Sequence, residues 1–136
     1  MGVIIDTSVL IAVERGTYSL EALSGHVHYD EAGVSAITMS ELLHGAHRAR
    51  DLGERTRRLA VAEAMFDGLS IYEFGPREAQ RHAELWAHLQ RAGTPIGPHD
   101  MLIAATALSR GHDVLTLNRA EFARVPGLRL VAVHDG

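Results

Sequence analysis

Three carboxylates, Asp6, Glu41 and Asp100, hold comparable places along the chain although they are far apart in sequence. Asp6 comes directly after the apolar run Gly2–Ile5. Glu41 falls in the first turn of a helix that follows a second apolar run. Asp100 opens a third helix behind a Gly-Pro loop. Each also has a purely structural explanation. Asp6 can cap the helix that begins at Thr7. Thr38-Met-Ser-Glu41 fits a capping box in which Glu41 reaches back to the Thr38 amide. Asp100, two residues after Pro98, can simply face the positive end of a helix dipole. If all three meet at one edge, their repulsion is costly unless a cation neutralises it. Oxygen ligands without any cysteine suit Mg²⁺ or Mn²⁺. Such ions polarise a phosphodiester, generate a hydroxide and stabilise the leaving oxygen, so no side-chain nucleophile is needed.

The elements that must position these acids follow from hydrophobic spacing. Five short apolar runs read as strands: Gly2–Ile5, Gly33–Ile37, Ser70–Phe74, Asp113–Thr116 and Leu128–Val131. Between them lie helical stretches at 7–15, 38–50, 55–69, 76–92 and 99–110, with shorter ones at Ser19–Leu23 and Asn118–Phe122. The helix at 76–92 has Pro in its first turn and stops before Gly93, a matched start and stop signal. Alternating strands and helices predict a mainly parallel five-stranded sheet covered on both faces. In such a sheet the crevice lies at the carboxyl ends of the strands, where Asp6 and Glu41 point by position. Asp100 reaches it only if its helix packs with the N-terminus toward that edge.

Composition narrows the field further. The 136 residues form one domain, 1–136, long enough for a substantial core. Hydrophobic residues at 46% and charged residues at 22% are ordinary for a globular protein. No apolar run is long enough to span a membrane, and the N-terminus reads as strand and helix rather than as a leader. With no cysteine, disulfide and zinc–thiolate chemistry are excluded, and a reducing cytoplasm is the plain expectation. All 13 basic residues are Arg, which removes P-loop and Schiff-base chemistry and suits phosphate contacts. The net charge of −4 argues against coating nucleic acid by bulk charge, not against local binding.

The segments VIIDTSVLI, SAITMSELLHG, GPHDMLIAATAL and LTLNRAEFARVPGLRL, in that order, resemble the PIN-domain ribonucleases, and among them the VapC-type toxins of bacterial toxin–antitoxin pairs. The resemblance covers nearly the whole chain and is least informative over 55–93. It implies a single-domain three-layer α/β/α sandwich whose acidic cluster holds Mg²⁺ or Mn²⁺ and cleaves single-stranded RNA or RNA loops. The matching positions are Asp6 in D-T-S, Glu41 in S-E-L and Asp100 in H-D-M, with Thr7 and Ser8 supplying the hydroxyl common after the first acid. Where the family often has a fourth acid, this chain has Asn118, which offers an oxygen without a charge. Glu121 and Asp113 are the acids near enough in sequence to compensate, Glu121 being read chiefly as a turn residue. The resemblance further implies a VapB-type antitoxin partner, a homodimer, a toxin–antitoxin hetero-oligomer, and operator DNA contacted only through the antitoxin.

Other residues have two readings each. His99 either contacts a phosphate or merely leads into its helix. The stretch Arg48, Arg50, Arg55, Arg57 and Arg58 either holds RNA phosphates or forms a solvated face beside Asp51 and Glu54. Trp86 and Phe66 read as core, and Glu14 and Arg15 as solvent-facing. Apolar faces at 9–23 and 42–69 serve either as interfaces or as core. An aspartyl phosphotransferase centred on Asp6 would want a second acid where Ser8 stands, and a response-regulator receiver would need a Lys that the chain lacks. The competing non-enzymatic reading is a degenerate PIN domain that binds RNA or a partner without cutting, motivated by Asn118.

Overall fold

The strand Gly2–Ile5 (β1) is apolar and buried along its whole length, as a strand covered on both faces must be. The computed structural model describes residues 2–19 and 31–131. After β1 come α1 (Thr7–Arg15), β2 (Glu31–Ser35), α2 (Ala36–His47), α3 (Leu52–Asp67), β3 (Ser70–Tyr72), α4 (Pro76–Ala92), α5 (Pro98–Arg110), β4 (Asp113–Leu115) and α6 (Arg119–Phe122). Among the described residues all strand pairings are parallel, in the order β3-β2-β1-β4. The first strand is thus central, with Ile4 opposite Gly33 on one side and Val114 on the other.

The two-residue period of β1 sends its side chains into two separate cores. Val3 and Ile5 pack with Val9 and Leu10 of α1, Leu42 of α2 and Ala62 and Phe66 of α3. Ile4 and Val114 pack with Leu85 and Leu89 of α4 and with Ile103, Ala104 and Ala107 of α5. One core on each face gives the expected three layers. Ile4 is fully buried, and truncating such a side chain to Ala costs about 2–5 kcal/mol. Gly33 is required by close approach, since a Cβ there would lie 2.5 Å from the Tyr72 ring and 2.6 Å from the Ser70 carbonyl. Gly111 ends α5 at φ 67°, and its amide donates to the carbonyls of Ala107 and Leu108 before the chain enters β4.

The structure departs from the sequence expectations in several places. Among the described residues the sheet has four strands, not five. The Leu128–Val131 segment makes only a single parallel bridge, Val114 with Leu130, supported by Val114 N to Arg129 O and Val131 N to Val114 O, both 2.9 Å. Helix α2 begins at Ala36, not Thr38, because Ser35 is its N-cap and accepts from the Ile37 amide. Helix α3 begins at Leu52, with Asp51 capping the Glu54 amide at 2.8 Å. Trp86 is about half exposed rather than core, whereas Phe66 is buried. Glu14 does not face solvent freely: it is partly buried and pairs with Arg58 at 2.6 Å. Of the Ser19–Leu23 helix all but Ser19 lies outside the described residues, as does the tail beyond 131. Among the described residues no helix is long and apolar enough to cross a membrane.

Candidate active site

The carboxyl ends of β1 and β4 lie side by side, and the Asp6 amide donates to Leu115 O at 2.8 Å. The residues that follow each strand therefore meet. Asp6 occupies the N-cap position of α1 but makes no capping bond. Its Oδ2 instead accepts from Ser8 Oγ at 2.6 Å and from Thr116 Oγ1 at 2.8 Å. Both hydroxyls are themselves held by backbone amides: Leu117 N donates to Ser8 Oγ, and Asn118 N donates to Thr116 Oγ1. Each hydroxyl has one proton, so this arrangement commits both protons to one carboxylate oxygen. Asp6 is 2% exposed.

Glu41 arrives from α2. Its Oε1 accepts from Thr7 Oγ1 at 2.8 Å, and Thr7 Oγ1 also lies 2.9 Å from the buried Thr38 hydroxyl. The capping-box expectation fails here, because Thr38 is inside the helix and bracing Thr7. The other Glu41 oxygen lies 3.4 Å from His99 Nδ1.

Asp100 sits at the third position of α5, with that helix directed N-terminus first toward the same edge. Burial, then the charge of Asp6, then Glu121 and Glu41, raise its carboxyl to a pKa of about 7. Asn118 Nδ2 donates to Asp100 Oδ2 at 3.3 Å and to Glu121 Oε2 at 2.5 Å. Glu121 also accepts from the Gly97 amide at 2.5 Å. These donors, the Gly97 amide foremost, lower the Glu121 carboxyl below its ordinary range. Where Asp100 and Glu121 share a proton, it therefore rests on Asp100.

Asp6, Glu41, Asp100 and Asn118 thus come to one edge, as the sequence suggested. Asn118 meets its neighbours through its amide nitrogen, an orientation assigned from the hydrogen bonds it makes. Sequence reasoning treated Glu121 chiefly as a turn residue, yet it binds the Gly97 loop and stands in the acidic cluster. Thr116 was not singled out; its only sequence signal is a hydroxyl just beyond a strand that neighbours β1. Asp113 lies at the other end of β4, 2.9 Å from Arg129, and takes no part. Among the described residues no arginine ion-pairs with any of the four acids at the site.

Parallel layers with acids gathered at the carboxyl edge define the class, and sequence comparison defines it further. A model of the PIN domain matches residues 3–128, and the chain belongs to that family. It is 41% identical over 135 residues to ribonuclease VapC1 of Rickettsia felis, covering 99% of this chain and 98% of that protein. It is 39% identical over 97 residues to the tRNA(fMet)-specific endonuclease VapC of Salmonella typhimurium, about 71% of each. A chain in the crystal structure of DNA-bound VapBC from Salmonella typhimurium superimposes with a TM-score of 0.87 at 31% identity, over 96% of this chain and 97% of that one.

Proposed function

We propose that this protein is a VapC-type endoribonuclease, the toxin of a toxin–antitoxin pair, which hydrolyses RNA phosphodiesters with Mg²⁺ and so arrests translation in the cytoplasm. One observation carries the metal site: four carboxylates, Asp6, Glu41, Asp100 and Glu121, crowd one edge with no arginine paired to them among the described residues, and the charges of Asp6, Glu121 and Glu41 add to burial in raising Asp100. The donors are hard oxygens, the chemistry that Mg²⁺ or Mn²⁺ takes. Among the described residues no three acidic or imidazole groups stand close enough to hold one ion together. Asp6 and Asp100 would be the principal ligands, with water making up the rest of the shell, as Mg²⁺ habitually allows. When bound, the ion neutralises developing charge on the phosphate and lowers the pKa of attacking water.

The protein's own groups do the positioning. Ser8 and Thr116 fix Asp6 through Oδ2, which leaves Oδ1 without a protein donor among the described residues and available as a ligand. Asn118 holds Asp100 and Glu121 in register. Glu41, steadied by Thr7 and faced by His99, would orient the attacking water or contribute to a second ion. Asn118 supplies no charge where a fourth acid is usual, and Glu121, three residues on, supplies one beside it.

The VapBC relatives support a VapB-type antitoxin as partner, a toxin homodimer within a hetero-oligomer, and operator DNA bound through the antitoxin. The substrate is tRNA or another exposed RNA loop, in line with the name of the Salmonella relative. The test is cleavage of an RNA panel, tRNA included, by purified protein free of antitoxin, in Mg²⁺, in Mn²⁺ and in EDTA, alongside Asp6→Asn. Cleavage that needs metal and is lost in Asp6→Asn is expected. An uncut panel in both metals would establish the alternative, a PIN domain that binds without cutting, for which the Asn118 position is the motive.

A further inference from the structure

Beside Glu41 the surface opens into a cleft of about 470 Å³ lined by Ile11, Arg15, His44, Arg48 and His99 among others. Most arginines of the chain are engaged. Arg55 donates to Ala49 O, Arg77 to Ser109 O, Arg119 to Val131 O and Arg124 to Pro95 O. Arg58, Arg81, Arg110 and Arg129 pair with Glu14, Glu84, Glu78 and Asp113. Arg15 and Arg48 are different. Both are exposed, neither has a protein partner among the described residues, and both line the cleft that Glu41 and His99 share with the acidic edge. Arg50, Arg57 and Arg91 are also exposed and without a partner among the described residues, but none of them lines this cleft; Arg91 lines a separate depression with Arg81 and His88.

Resting on the nuclease reading above, we propose that this cleft is a phosphate-binding subsite, in which Arg15 and Arg48 hold backbone phosphates of the RNA strand flanking the scissile bond. The acidic edge repels a polyanion, so the strand needs guanidinium contacts next to it to stay in place. Arg15 ends α1, and Arg48 caps α2. A helix C-terminus carries about half a negative charge, so the two guanidiniums outweigh the two helix ends and leave about one positive charge beside Glu41, the carboxylate on the acidic side of the same cleft. Arg58, which also borders it, is neutralised by Glu14 and adds shape rather than charge. Because the contacts are with phosphate, they position the strand without reading its bases.

The experiment measures binding of a fluorescently labelled single-stranded RNA 20-mer, in EDTA, at 50 and 200 mM KCl. Wild type is compared with the double variants Arg15→Gln/Arg48→Gln and Arg15→Lys/Arg48→Lys. Two single-strand phosphate contacts contribute about 1.4 to the slope of log affinity against log salt. The wild type should therefore lose about sevenfold more affinity than the Gln variant between the two salts. The Lys variant, which keeps the charges, should behave like wild type. In Mg²⁺ the Gln variant should show a raised KM with kcat nearly unchanged, and thermal melts should match wild type because both side chains are exposed. Equal salt slopes for wild type and the Gln variant would overturn the subsite while leaving the nuclease intact. A wild type that neither binds nor cuts RNA would overturn both readings. If the Gln variant loses affinity for an oligo-glutamate peptide but not for RNA, the cleft docks protein and the subsite is wrong.

Discussion

Replacing Asp100 by Asn keeps the shape of the side chain and removes its charge. In metal-free buffer this should stabilise the fold above neutral pH. The Asp100 carboxyl is raised from its ordinary 3.8 to about 7, first by burial and then by Asp6, Glu121 and Glu41. Between these two values the folded protein holds a proton that the unfolded chain has released, so wild-type stability falls as pH rises across that window. The penalty is absent below about 3.8 and complete above about 7. Its ceiling is about 4 kcal/mol. The group is only half-buried, and solvent screening reduces the expectation to about 2 kcal/mol. The advantage of Asp100→Asn should therefore be a few tenths of a kcal/mol at about pH 4 and about 2 kcal/mol at about pH 8. For a chain of this length, roughly 3–5 °C of Tm accompanies each kcal/mol, so the variant should melt about 6–10 °C higher at about pH 8. Thermal melts of both proteins in EDTA across that range measure it. A Tm gap that does not change with pH, or a wild type that is the more stable at about pH 8, would refute the reasoning. Adding Mg²⁺ should shrink the gap, because an ion that prefers the folded wild type stabilises it by mass action.

Thr116→Val removes the hydroxyl that donates to buried Asp6 and accepts from the Asn118 amide; urea unfolding should show a loss of about 1–3 kcal/mol. Glu121→Gln takes away a neighbouring negative charge, so the Asp100 titration followed by carbon NMR should move toward its ordinary value, and an unmoved titration would separate the two groups. Arg58→Met strands the carboxylate of Glu14 in a groove lined by Leu10, Val13, Val61, Ala64 and Met65. That single change should cost about 3 kcal/mol, whereas Glu14→Met/Arg58→Met together should come close to neutral, since apolar replacement of a buried pair is often tolerated.

How far each feature could be read from the sequence depended on how local its cause is. Helix α4 matched at both ends because Pro76 and Gly93 act on their own backbone. The central strand was equally plain, since an uninterrupted apolar run suits only a doubly covered position. The start of α2 was misplaced because Ser35 and Thr38 both carry capping hydroxyls, and the choice between them was settled by Thr7, which lies 31 residues before Thr38 and needs its hydroxyl. The 128–131 segment has strand-like residues, but whether it pairs along its length or at one bridge depends on a partner that the sequence does not display. Trp86 and Glu14 were misjudged for a related reason: spacing places a residue on a helix face without saying what covers that face. At the site, the three acids were visible as a pattern of positions after apolar runs. Glu121 was not, because its importance comes from the Gly97 amide, 24 residues earlier, which only the folded loop brings to it.

Asp6 is braced by Thr116, and Asp100 by Asn118 and Glu121, so the first acid of the chain depends on residues near its far end. On a ribosome these parts emerge in order, and Asp6 waits for 115 further residues. At roughly 5–20 residues per second, that is an interval of about 6–23 s. Throughout it the nascent chain carries an acid without the hydroxyl from β4's end or the carboxyl pair beside it. On the proposed reading, a chain interrupted before Asp100 lacks one of the two principal metal ligands and cannot yet cut the RNA around it.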